Sequence, residues 1–103
     1  MQAKGSTADL RELSDAFKAL SNPNRLAMYL ELLRSAELKM ASCPLADLVD
    51  RLDIGAPTVS HHTKELANAG LIDVERDGKF VRCRLNEDMR QRLAGFLTGV
   101  TPA

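Results

Sequence analysis

The stretch Leu45–Leu71 reads LADLVDRLDIGAPTVSHHTKELANAGL. Two short amphipathic runs, Leu45–Leu52 and Thr58–Ala69, flank a break at Asp53-Ile54-Gly55-Ala56-Pro57. Leu45, Leu48, Val49 and Leu52 recur at the spacing of one helical face. In the second run Val59, His62, Thr63, Leu66 and Ala69 share a face. Thr58, His61 and Lys64, with Ser60 beside them, lie on the opposite, polar side. Two helices joined by a short glycine-containing turn, the second with a polar outer face, predict a helix-turn-helix over residues 44–70.

Downstream, Leu71–Arg76 and Lys79–Leu85 alternate around Asp77-Gly78, a strong turn signal, and predict a β-hairpin over residues 71–85. Alternation puts Ile72 and Val74 on one face, with Val81, Cys83 and Leu85 opposite them on the second strand. Phe80, Arg82 and Arg84 take the outer face. Arg76, Lys79, Arg82 and Arg84 fall in a nine-residue window opposed only by Asp77, so the hairpin is expected to be a basic corner. Asn86 then caps a last helix over residues 87–98, with Glu87 and Asp88 in its positive first turn. Met89, Leu93, Phe96, Leu97 and Val100 form its apolar stripe.

Upstream, residues 1–5 read as a loose tail. Ser6 and Asp9 suit the start of a helix over residues 7–20, whose stripe is Leu10, Leu13, Phe17 and Leu20. Asn22-Pro23 opens the next helix, Pro23 fitting its first position. That helix carries Leu26, Met28, Tyr29, Leu30, Leu32 and Leu33, apolar most of the way round, and is expected at the buried centre. Arg34–Ser42 has no clean period and reads as a loop or a helix extension. Cys43-Pro44 marks the following helix start, with Pro44 at its first position.

At 103 residues the default is a single domain over 1–103, its ordered core spanning about 6–100. Hydrophobic residues make up 45% and charged residues 27%, ordinary for a soluble globular protein. Nothing approaches a membrane span, and Met1–Ser6 has no apolar signal segment, so a cytoplasmic location is expected. Cys43 and Cys83 are too few for a disulfide framework and are expected as free thiols. Net charge is zero, with fourteen basic and fourteen acidic side chains. That balance does not advertise a nucleic-acid partner, where basic surface supplies much of the affinity.

The order is thus helix, helix, helix-turn-helix, hairpin, helix: a mainly α winged helix-turn-helix with a small β-hairpin as its wing. The first and last helices, 7–20 and 87–98, carry apolar stripes that so small a core leaves unpartnered. Pairing them across a two-fold axis buries both, so a homodimer is expected with these as dimerisation helices.

Several spaced runs resemble the ArsR-type winged-helix transcriptional regulators. Phe17-Lys18-Ala19-Leu20-Ser21-Asn22-Pro23-Asn24-Arg25-Leu26 is similar to that family's opening signature. Thr58-Val59-Ser60-His61-His62, with Lys64, Leu66, Ala69, Gly70 and Leu71, resembles its recognition helix. Asp77-Gly78-Lys79 and Arg84-Leu85 resemble its wing, and the likeness covers roughly residues 10–97. It implies a homodimeric repressor on an inverted-repeat operator in double-stranded DNA, released by a signal that the sequence does not name. Thr58, Ser60, His61 and Lys64 would enter the major groove, while Arg76, Lys79 and Arg82 would touch the flanking backbone or minor groove.

Two departures stand out. Gly55-Ala56-Pro57 replaces the Ser-Gln-Ser common in relatives, which removes side-chain donors and leaves backbone amides to hold a phosphate. The Cys-x-Cys metal site that relatives place at the start of the helix before the recognition helix is here Pro44-Leu45-Ala46. The last helix has neither His nor Cys, so no metal site and no cofactor is expected.

The remaining candidates divide by face. His61 is read as a DNA contact, and His62, about a hundred degrees round the helix, as a hydrogen-bonded packing residue. Cys83 alternates inward and reads as a buried thiol. Cys43 precedes a helix N-terminus, which lowers a thiol pKa, and is the candidate thiol sensor. The two form a redox pair only if the fold brings them together. No nucleophile–base–orienter set is present, and no enzyme is expected. The alternative function is a winged-helix interaction or dimerisation module that does not bind DNA.

Overall fold

The computed structural model describes residues 7–99. The elements run α1 (Thr7–Leu20), α2 (Pro23–Glu37), β1 (Cys43–Pro44), α3 (Leu45–Leu52), α4 (Ala56–Asn68), β2 (Ile72–Asp77), β3 (Phe80–Leu85) and α5 (Glu87–Thr98). This is the winged helix-turn-helix order. Ser6, read as a helix cap, and Val100, read as the end of an apolar stripe, lie outside the described residues.

Local chemistry sets most of the boundaries. Asn22 Oδ1 accepts from the amides of Asn24 and Arg25 at 2.9 and 3.2 Å, with Pro23 opening α2 behind it. Asn86 Oδ1 accepts from Met89 N at 3.0 Å and caps α5. α4 ends in a double-bonded cap: Leu71 N donates to Leu66 O and Gly70 N to Ala67 O, each at 3.0 Å, with Gly70 at φ 78°. Leu66 and Leu71, which that cap brings together, are both fully buried.

Asp53 takes the left-handed conformation that ends α3, at φ 53° and ψ 41°; a short polar side chain tolerates it. The helix-turn-helix joint differs from the sequence reading in one detail. Ala56 and Pro57 are not part of the break but the first turn of α4, with Gly55 as its cap residue. Pro57 fits there because first-turn amides have no intrahelical acceptor to lose.

The sheet has three antiparallel strands in the order β1-β3-β2. The third strand, β1, is absent from the sequence reading. Cys43-Pro44 does not start a helix but pairs with Cys83 and Arg82 of β3, and Pro44 becomes the residue before α3. A two-residue strand has no period to read; its partner forty residues on creates it. The 34–42 segment resolves into the last turn of α2 followed by a connection in which Lys39 takes a positive φ of 62°.

The core gathers Leu13, Ala16 and Ala19 from α1, Met28, Tyr29 and Leu32 from α2, Leu48, Val59 and Leu66 from α3 and α4, and Leu71, Ile72, Cys83, Leu85, Met89 and Leu93 beyond. α2 is buried on one side only: Leu26 and Leu30 are exposed, so it is not wrapped on all faces as its composition suggested. Val74 is likewise exposed, because only the first residue of β2 reaches the helices before the hairpin extends past them.

α1 and α5 lie side by side. Phe17 and Phe96 pack at 5.8 Å between ring centroids. Arg92 of α5 pairs with Asp9 and, at 2.8 Å, with Glu12 of α1. Leu10, Phe96 and Leu97 remain exposed on these two helices, Leu97 at 72%.

Candidate nucleic-acid interface

α4 separates its residues as the helical period requires. Val59, His62, Thr63 and Leu66 point into the protein, whereas Thr58, Ser60, His61 and Lys64 are all exposed. Thr63 Oγ1 donates to Val59 O at 2.8 Å, which lets a hydroxyl be buried on the inner face.

His62 fixes α4 against its neighbours. Its Nδ1 accepts from Arg25 Nε at 3.2 Å, and Arg25 Nη1 donates to Ala19 O at 3.3 Å. One guanidinium therefore joins the end of α1, the start of α2 and the middle of α4. Burial lowers the His62 pKa, and the Arg25 charge lowers it further, so the ring is neutral and free to accept. The packing role read for His62 is what the structure shows. Arg25 was missed as its partner, because 37 residues separate them and only the fold brings them together.

Among the described residues, no side chain caps the first turn of α4. Its amides are thus available to an anion, as the Gly55-Ala56-Pro57 departure implied.

The hairpin closes on the two-residue loop Gly78-Lys79, with Gly78 at φ 63° and Asp77 paired with Phe80. Lys79 and Arg76 are exposed, and Lys79 Nζ stands 5.9 Å from the ring centroid of Phe80, itself 65% exposed. The uniformly basic corner is not observed. Antiparallel register sets Asp73 opposite Arg84 and Glu75 opposite Arg82. Arg84 consequently sits 4.0 Å from Asp73 and 3.7 Å from Glu75. Arg82 donates from Nε to Ser42 Oγ at 2.6 Å and from Nη2 to Ser42 O at 3.3 Å. It braces the connection before β1 instead of standing free. The expected trio is divided: Arg76 shares the face of Val81, Lys79 is in the loop, and Arg82 lies on the other face, engaged.

Cys43 also departs from its reading. Its pKa is raised, not lowered: burial dominates over the Ser35 hydroxyl and the Arg51 and Arg82 charges that favour the thiolate. It sits in a strand, fully buried, instead of at an open helix N-terminus. Cys83 is also fully buried, with its thiol pushed up to about 11 by burial. Both are free thiols. Among the described residues no group of three or more His, Cys, Asp and Glu side chains converges as a metal-binding set. Pro44, Leu45 and Ala46 offer no ligand side chain.

Comparison with known proteins adds to this geometry. Residues 20–75 match a family model for a helix-turn-helix domain. The chain is 36% identical over 78 residues to the arsenical resistance operon repressor of Staphylococcus xylosus, covering 76% of this chain and 69% of that protein. It is 34% identical over 80 residues to the cadmium resistance transcriptional regulatory protein CadC of Listeria innocua, covering 78% and 63%. The match thus spans about two thirds of these relatives' length. The fold is similar to that of a homodimeric winged helix-turn-helix DNA-binding domain from Mycobacterium bovis, with a TM-score of 0.71 and 21% identity over 95% of this chain and 86% of that one.

Proposed function

The chain belongs to the ArsR-type winged-helix family of DNA-binding transcriptional repressors, and we propose that it reads an inverted-repeat operator as a homodimer. α4 enters the major groove of each half-site, the half-sites lying about one helical turn apart. Ser60 and His61 address base edges, Thr58 and Lys64 the adjacent phosphates, and Arg76 and Lys79 the backbone flanking each half-site. Arg82 serves as a brace for the wing and not as a contact.

The observation that carries this reading is the division of α4. Its four polar residues are exposed together, while a buried His62–Arg25 bond holds the opposite face in place. A helix fixed on one side and polar on the other presents its side chains without paying for order at the moment of binding. The family's named relatives are regulators, so the alternative of an interaction module without DNA binding is not favoured. No helix among the described residues is long and apolar enough to cross a membrane, and a cytoplasmic location follows from the proposed role.

The test is fluorescence anisotropy on duplexes from the promoter of its own gene. Ser60→Ala should narrow the difference between operator and scrambled DNA, whereas Lys64→Ala should weaken both about equally. Wild-type protein that fails to bind either duplex at low salt would sink the proposal.

A further inference from the structure

Cys43 and Cys83 stand directly opposite one another on the antiparallel strands β1 and β3. Opposed residues in such a ladder place their side chains on one face, with Cα atoms about 4.5–5.5 Å apart. That spacing lies inside the window of about 4.4–6.8 Å that a disulfide requires. Both side chains line one cavity of about 490 Å³ between the end of α2, the connection before β1 and the sheet. Lys39, Met40 and Arg84 on its wall are exposed, so the cavity communicates with solvent although the thiols are buried. Ser35 lines the same cavity. Its hydroxyl, on a residue 3% exposed, makes no hydrogen bond of normal geometry among the described residues, but lies close enough to Cys43 to favour its thiolate.

We propose that Cys43 and Cys83 form a hydroperoxide-oxidised dithiol that closes into a cross-strand disulfide and weakens DNA binding. The Cys43 thiolate attacks the outer oxygen of the peroxide. The O–O bond breaks, the alcohol (or water, from hydrogen peroxide) leaves with a proton, and Cys43 becomes a sulfenic acid. Cys83 then gives up its proton and attacks that sulfur; the S–S bond forms, the S–O bond breaks, and water departs. Two thiols lose two electrons and one hydroperoxide is reduced. Burial raises both thiols, but Cys43 goes first because the Ser35 hydroxyl and the Arg51 and Arg82 charges partly offset its burial, whereas nothing offsets that of Cys83, which is pushed up to about 11. The Ser35 hydroxyl gains an acceptor in that thiolate.

The consequence for DNA follows from where the strands lead. β1 runs straight into α3, and β3 is the inner strand of the wing. A covalent bond between them draws the Cβ atoms to about 3.8 Å and shifts the helix-turn-helix entry against the wing. This last step alone rests on the proposed DNA-binding function; formation of the disulfide does not.

The experiment treats the reduced full chain with hydrogen peroxide, alkylates it under denaturing conditions and reads the intact mass. The expected product is a single chain about 2 Da lighter, with neither cysteine alkylated, reversed by dithiothreitol. Cys83→Ser should instead trap a Cys43 sulfenic acid that dimedone labels. Two alkylatable thiols left in wild type after the methionines have oxidised, or a bond between chains, would overturn the dithiol; this readout needs no variant to fold. In parallel, promoter-DNA affinity should fall about fivefold or more on oxidation and return on reduction. Unchanged affinity with the disulfide formed overturns the switch. Absence of binding in both redox states overturns the DNA-binding function and leaves the dithiol to the mass result.

Discussion

His62 is neutral because charging it would bury an uncompensated cation beside Arg25. Its folded pKa therefore lies below its unfolded value, and the unfolded chain binds more protons as pH falls through the unfolded range near 6.5. Stability is then full above that range and declines below it. The thermal midpoint should fall between pH 7.5 and 5.5, and His62→Asn, which keeps an acceptor but does not titrate, should show a shallower fall. Equal slopes in the two proteins would remove the linkage. That His62 faces inward was legible from helical spacing alone. Its bond to Arg25 was not, since periodicity reports faces and says nothing of which distant residue meets them. The pKa direction expected of Cys43 was wrong for a related reason: its position ahead of a helix pointed to a lowered pKa, but burial, a tertiary property, outweighs it.

Elements were legible wherever a cap or a period marks them. Asn22-Pro23, Asn86 and Gly70 each do in the structure what their chemistry predicts. Gly70 ends α4 and starts the wing, at φ 78°, and a Cβ there would stand 3.4 Å from Met89 Cε. Gly70→Ala should thus destabilise the fold by about 1–2 kcal/mol, most of it from the left-handed backbone, measured by urea unfolding. A loss below a few tenths would show that the cap is not under that constraint. β1 and the charge of the wing were not legible. Both depend on register, and a hairpin's register decides which acid faces which base. Counting charge in a sequence window missed Asp73 and Glu75, which the ladder carries to Arg84.

At the scale of the whole molecule, the chain has a free apolar face where α1 meets α5. Leu10, Phe96 and Leu97 stay exposed there while Phe17 and the Arg92 pairs hold the two helices together. The proposed dimer buries this face against its own copy. Phe96→Glu combined with Leu97→Glu places like charges on both sides of the axis, so sedimentation should show twice the chain mass for wild type and the single-chain mass for the variant. Wild type sedimenting as a monomer at micromolar concentration would refute the arrangement.

A dimer that reads two half-sites makes each phosphate contact twice. The salt dependence of DNA affinity therefore reports contact and symmetry together. In a plot of log affinity against log salt, Lys64→Ala should reduce the slope by about 1.8, two contacts at about 0.9 each. A reduction of about 0.9 would mean a single subunit on the DNA, and an unchanged slope would contradict the placement of α4 against the phosphates.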